Sequence, residues 1–165
     1  MKKILILALL ASPSVFAASP DATYNINVNV YLLDHGNKKL VSSISQIANN
    51  DGKKINSYIS RDVGNKDMGL REGLTVNGKI IKSAENDIFD FSGVETRLET
   101  LKTSNDHKWE EGYMKILNFR NSMLLKDPKT TYTANFEGED KKYLLEVNVN
   151  KIDYIADLNP EKKDK

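Results

Sequence analysis

The chain has 165 residues, 39% of them hydrophobic and 28% charged, no cysteine, and a formal charge of +1. Such a composition belongs to an ordinary globular domain and argues against global disorder, a disulfide scaffold or a lipoprotein anchored through a modified cysteine. The near balance of charge gives no general attraction to nucleic acid or to an anionic membrane.

Met1-Lys2-Lys3 is a short basic start, Ile4 to Ala11 is an unbroken apolar run, Ser12-Pro13 interrupts it, and Val15-Phe16-Ala17 precedes a small residue. That order is a secretory signal peptide over residues 1–17, with cleavage expected between Ala17 and Ala18. The apolar run is about half of what a bilayer span needs. Export to a bacterial periplasm or to the medium is therefore expected, leaving one β-domain over residues 18–158 and a polar tail over 159–165.

Tyr24, Ile26, Val28, Val30 and Leu32 alternate with Asn25, Asn27, Asn29, Tyr31 and Leu33, the period-two pattern of a half-buried strand. Asp34-His35-Gly36-Asn37 reads as a turn, and Leu40 to Ala48 as a second strand. Asn49-Asn50-Asp51-Gly52 carries the Asp-Gly signal of a tight hairpin, with a third strand returning from Lys54 to about Ser60. Gly64 to Gly73 reads as a longer exposed connection. Asn77-Gly78, between Leu74-Thr75-Val76 and Lys79-Ile80-Ile81, repeats the hairpin pattern.

Ile88, Phe89, Phe91 and Val94 form a further strand in which Gly93 marks a bulge or bend. Glu95 to Leu101 fits either a short helix face or a strand, and the surrounding pattern favours strand. Ser104 to Gly112 reads as a loop and Tyr113 to Leu125 as a strand ended by Asp127-Pro128. Thr131 to Phe136 and Lys142 to Val149 flank Glu137-Gly138-Glu139-Asp140 as a final hairpin. The Val-Asn-Val centres of the first and last strands predict that the two are neighbours in one sheet. Seven or eight short strands imply an antiparallel β-sandwich or a partly open barrel.

The chemistry-bearing residues are sparse. No Gly-x-Ser-x-Gly elbow, His-Glu-x-x-His pair or phosphate loop occurs. The two histidines, His35 and His107, each follow an aspartate, which allows a zinc or general-base site but fits exposed turns better. Glu85, Asp87 and Asp90 have neither the spacing of a calcium loop nor an uninterrupted acidic face, and Asp51 is explained by its turn. Trp109, Tyr113 and Phe119 read as core anchors before they read as an aromatic binding surface. Lys38-Lys39 and Lys53-Lys54 flank the turns as solubilising charge. No catalytic set, metal site or cofactor is expected.

Ile26-Asn27-Val28-Asn29-Val30-Tyr31-Leu32-Leu33, the turn through Asn37, the Leu40-Val41-Ser42-Ser43 strand and the following Asn50-Asp51-Gly52-Lys53 resemble a piece of the pore-forming β-region of the outer-membrane secretin family. Tyr143 to Val149 resembles a late strand of that region. The resemblance spans about a third of the chain. It implies a place in envelope secretion or pilus machinery. The chain departs from the family in lacking the proline that often follows the serine pair and in being too short for a complete secretin.

Together these features lead to an exported, non-enzymatic β-domain that binds a protein partner in the bacterial envelope. The first and last strands are expected to be sheet edges that pair with that partner. This makes Asn25, Asn27, Asn29, Glu146 and Asn148 the expected contacts. A secreted hydrolase using His35 or His107, and a carbohydrate-binding module around Trp109 and Tyr113, are the alternatives.

Overall fold

The computed structural model describes residues 21–63, 69–103, 110–126, 128–138 and 141–152. The expected leader over 1–17 and the expected tail over 159–165, with His107 and Trp109, lie outside the described residues.

The described residues form eight strands: β1 (Thr23–Asp34), β2 (Asn37–Asn49), β3 (Ile55–Val63), β4 (Leu70–Ile81), β5 (Ile88–Thr103), β6 (Glu110–Leu124), β7 (Lys129–Glu137) and β8 (Lys142–Ile152). They make two antiparallel sheets, ordered β2-β1-β8-β7 and β3-β4-β5-β6. The sheets are not closed into a barrel, so the molecule is a β-sandwich. No helix among the described residues is long and apolar enough to cross a membrane.

Period-two alternation builds this core directly. Tyr24, Ile26, Val28 and Val30 of β1 and Leu145, Val147 and Val149 of β8 are buried from the first sheet. Leu74, Val76 and Ile80 of β4, Phe89 and Phe91 of β5, and Leu117 and Phe119 of β6 meet them from the second. Phe91 stacks on Phe89 at 4.9 Å between centroids and meets the Tyr132 ring of the opposite sheet edge-on at 5.7 Å. These offset and edge-on geometries suit the ring quadrupoles.

The hairpin at His35-Gly36 is a two-residue turn with φ of 47° and 85°, the left-handed pair a type I′ turn demands. The β7–β8 pairing and the β5 strand through Glu95–Leu101 agree with the sequence reading. The first and last strands are indeed neighbours, with Val28 opposite Val147.

Five expectations are corrected. The exposed connection expected over Gly64 to Gly73 ends earlier, since β4 starts at Leu70 and Glu72 is buried. Asn49 to Gly52 makes no hairpin, because β2 and β3 belong to different sheets. Instead Asn50 is buried and its amide is held by Ala22 N–H and Asp87, while Gly52 N–H donates to Ile80 O, so the segment carries the chain across the sandwich. Asn77-Gly78 is no turn but the interior of β4; the Phe89 ring lies where a Cβ on Gly78 would sit, 2.7 Å from Cε2. Gly93 causes no bulge: its register is regular, and the space a side chain would need is taken by Phe119 and by Thr75 O. The stretch expected as a loop to Gly112 already belongs to β6 from Glu110.

Candidate functional site at the open seam between the sheets

Asn25, Asn27 and Asn29 stand opposite Asn150, Asn148 and Glu146 on the outer face of the first sheet. All five expected contact residues thus come together on one face. A hydroxyl and amide network ties the face down: Ser43 Oγ donates to Asn29 Oδ1 at 2.7 Å, Thr131 Oγ1 to Asn148 Oδ1 at 2.7 Å, and Asn148 Nδ2 to Glu146 Oε1 at 2.8 Å. Yet the edge premise fails. β1 lies between β2 and β8, and β8 between β1 and β7, so the ladders on both sides of these strands are occupied. Alternation along β1 reports which face is buried and not whether its ladders are paired, and the edge strand β7 alternates as well.

The other sequence candidates divide between structural roles and exposed positions. His35 is exposed at its turn, with only Asp34 against its Nδ1 at 2.5 Å. Among the described residues no group of three metal-ligating side chains converges. Asp87 is the hub of a clasp, accepting from Tyr24 Oη and Asn50 Nδ2, both at 2.8 Å. Asp90 accepts from Ser122 Oγ at 2.9 Å, and Glu85 is exposed. Asp51 holds Lys53, whose ammonium and N–H keep its carboxyl below the usual range. Phe119 is core as expected, whereas Tyr113, expected to be a core anchor as well, is exposed.

The sheet edges are β2, β7, β3 and β6. β2 and β3 face one another without a shared ladder. Ser57 Oγ of β3 donates to Gln46 Oε1 of β2 at 2.8 Å, pinning the seam partway along. Beyond that pin a cavity of about 350 Å³ opens between Leu40–Ser43 of β2 and Ile59–Arg61 of β3, floored by Glu72, Gly73 and Arg97. A second hollow of about 250 Å³ shares Leu40, Val41, Arg61, Glu72 and Arg97 and extends to Lys39, Lys141 and Tyr143.

Two bulges shape this end. In the β1–β2 ladder Val30 pairs with Ser42 and Tyr31 with Leu40, leaving Val41 as the extra residue. In β5–β6, Leu98 pairs with Met114 and Thr100 with Tyr113, leaving Glu99 extra. Bulges re-aim side chains and end regular pairing, often beside functional sites.

Beneath the cavities lies a buried charge cluster. Arg97, 4% exposed, donates Nη1 to Glu72 Oε2 at 3.0 Å, Nε to Glu95 Oε1, and Nη2 to Ser42 Oγ. Ser42 Oγ donates to Glu95 Oε1 at 3.1 Å, linking the two sheets. Arg61, reaching in from the exposed rim, directs Nε and Nη2 at Glu72 Oε2, 2.9 and 2.6 Å away, while Leu98 N–H donates to Glu72 Oε1 at 2.9 Å. Glu95 Oε2 is buried with no hydrogen-bond partner among the described residues.

Burial pushes the Glu95 carboxyl up to about 7, against the pull of Arg97 and Ser42. Burial also acts on Glu72, but hydrogen bonds from Arg61 and Leu98 N–H and the charge of Arg97 outweigh it and hold this carboxyl below its ordinary value. The cluster can therefore hold charge, position a rim guanidinium and change its own charge near neutrality.

The strand alternation contained a signal for part of this site. Glu72 shares the inward parity of Leu74 and Val76, and Glu95 and Arg97 that of Phe89 and Phe91. Charged residues at core-facing positions seldom stay buried without partners. Ser42 carries no such signal, because only the meeting of two sheets brings it in, while Arg61 reaches Glu72 from directly opposite in the β3–β4 ladder.

A comparison with protein-family models and with curated proteins gives no match to this chain.

Proposed function

We propose that this chain is an exported, non-enzymatic binding module of the bacterial envelope, which captures an extended segment of a protein partner at the β2–β3 seam. The observation that carries the reading is the cavity between two strand edges with no ladder partner across it, rimmed by exposed Leu40 and Ile59. An unpaired edge offers a row of backbone donors and acceptors, and an extended peptide satisfies them by adding as a strand. Apolar rims add burial to those hydrogen bonds. The leader over residues 1–17 supports a periplasmic or secreted location, and the secretin-like stretch over Ile26–Ser43 supports a role in secretion or pilus assembly.

Site-specific photocrosslinking in living cells tests this. A photoreactive residue replacing Leu40 or Ile59 should give one discrete adduct with an envelope protein, mapped to an extended segment of it. The same group replacing Thr133, on the outer face of β7, should give none. Equal yields at all three positions, or no adduct at the seam, would contradict the proposal.

A further inference from the structure

We propose that the segment taken up at the seam carries an acidic side chain, received between Lys39 and Arg61. This inference rests on the binding reading and names the chemistry of its partner.

The charged lining of the second hollow is Lys39, Arg61, Arg97 and Lys141 against Glu72. Glu99, bulged out of β5 at the same end, adds one further carboxylate. Surrounding ions do not redress the surplus. Arg71 pairs with Asp62 at 2.9 Å and Lys142 with Glu137 at 3.3 Å, each a neutral couple. Lys141 Nζ bonds a backbone carbonyl, that of Glu99, at 3.1 Å, which cancels no charge. Glu72 is matched twice, by Arg61 and by Arg97. Glu95, held near neutrality by burial, contributes only a fraction of a negative charge at pH 7.

The four cations divide by role. Arg97 spends its donors on Glu95, Glu72 and Ser42, so it positions the others. Arg61 has 68% of its side chain exposed, and Lys39 is exposed, so these two can meet an incoming carboxylate. Arg61 bonds only one oxygen of Glu72, an arrangement that a second carboxylate can share through the guanidinium fork. Neighbouring apolar residues of the segment would lie on Leu40 and Ile59.

The test uses the full mature chain and three fluorescein-labelled Val/Thr heptapeptides that differ only in a central glutamate, glutamine or lysine. The glutamate peptide should bind about fivefold or more tighter than the glutamine one, as one partly exposed charge pair implies, and the lysine peptide most weakly. The preference should shrink with added salt and disappear in R61Q and in K39Q. Equal binding of all three overturns this inference while leaving strand capture standing. Binding of none overturns both. Displacement of the glutamate peptide by an equal concentration of decanoate overturns it in favour of an amphiphile site.

Discussion

Ser42 donates its hydroxyl proton across the sandwich to Glu95 Oε1, 3.1 Å away, and accepts from Arg97 at the same oxygen. This one hydroxyl joins the sheet holding the first and last strands to the sheet holding β3 to β6. Between this end and the Asp87 clasp the sheets meet largely through apolar side chains, where contact is non-directional, with the Ser57–Gln46 hydrogen bond at the seam. At this end the contact is polar, and so it responds to pH.

Stability should fall as pH rises through neutrality. Glu95 has a folded value of about 7, above its ordinary 4.5, so the folded chain binds more protons than the unfolded chain between those values. Its contribution is fully present below 4.5 and lost as pH climbs through 7. The span corresponds to up to about 3 kcal/mol. Glu72 is shifted the other way, so its contribution is lost only in stronger acid. Thermal unfolding followed by circular dichroism should give a higher Tm at pH 5 than at pH 8, and E95Q should flatten that slope. A slope unchanged in E95Q would show that Glu95 is not its source.

Gly93→Ala should cost about 1–3 kcal/mol, because the added methyl would collide with the Phe119 ring and with Thr75 O, a backbone atom of the paired strand. Urea unfolding measures this. A neutral result would mean that β4 and β6 yield more readily than a packed sheet should.

At the opposite end of the sandwich, Asp87→Ala should cost about 1–3 kcal/mol by leaving Tyr24 Oη and the Asn50 amide without their shared acceptor. Glu85→Ala, at an exposed position nearby, should change stability by less than about 0.5 kcal/mol. Comparing the two variants by urea unfolding separates a structural clasp from an acidic patch.

Much of the architecture was readable because local pattern and tertiary demand coincide. Tyr24 to Leu32 alternates without a break and becomes a central strand; the His35-Gly36 turn and the β7–β8 hairpin follow their turn residues. The errors came where a turn-type dipeptide served another purpose. Asn50-Asp51-Gly52 crosses between sheets, and Gly78 is small because of Phe89, a contact 11 residues away that no local rule contains. The expected contact residues were found together on one face, but strand order decides which strands are edges, and the order β2-β1-β8-β7 placed both chosen strands inside. The seam cluster was half visible, as charges at the core parity of β4 and β5. Its partner on β2, Ser42, depends on how two sheets stack, and Arg61 on β3 depends on the register of the β3–β4 pair.

Val28→Pro should prevent folding, since Val28 pairs with Ile44 on one side and Val147 on the other and proline supplies no N–H to either ladder. Loss of cooperative unfolding and of near-ultraviolet circular dichroism would be the readout. A native-like spectrum would contradict the central place of β1.

The most direct test of the account is amide hydrogen exchange of the chain from Ala18 onward, free and saturated with the glutamate-centred peptide. Capture at the seam predicts slowed exchange within Leu40–Ser43 and Ile59–Arg61, with β1 and β8 unchanged. Protection confined to the β6 or β7 edge, or to the outer face bearing Asn25, Asn27 and Asn29, would contradict it.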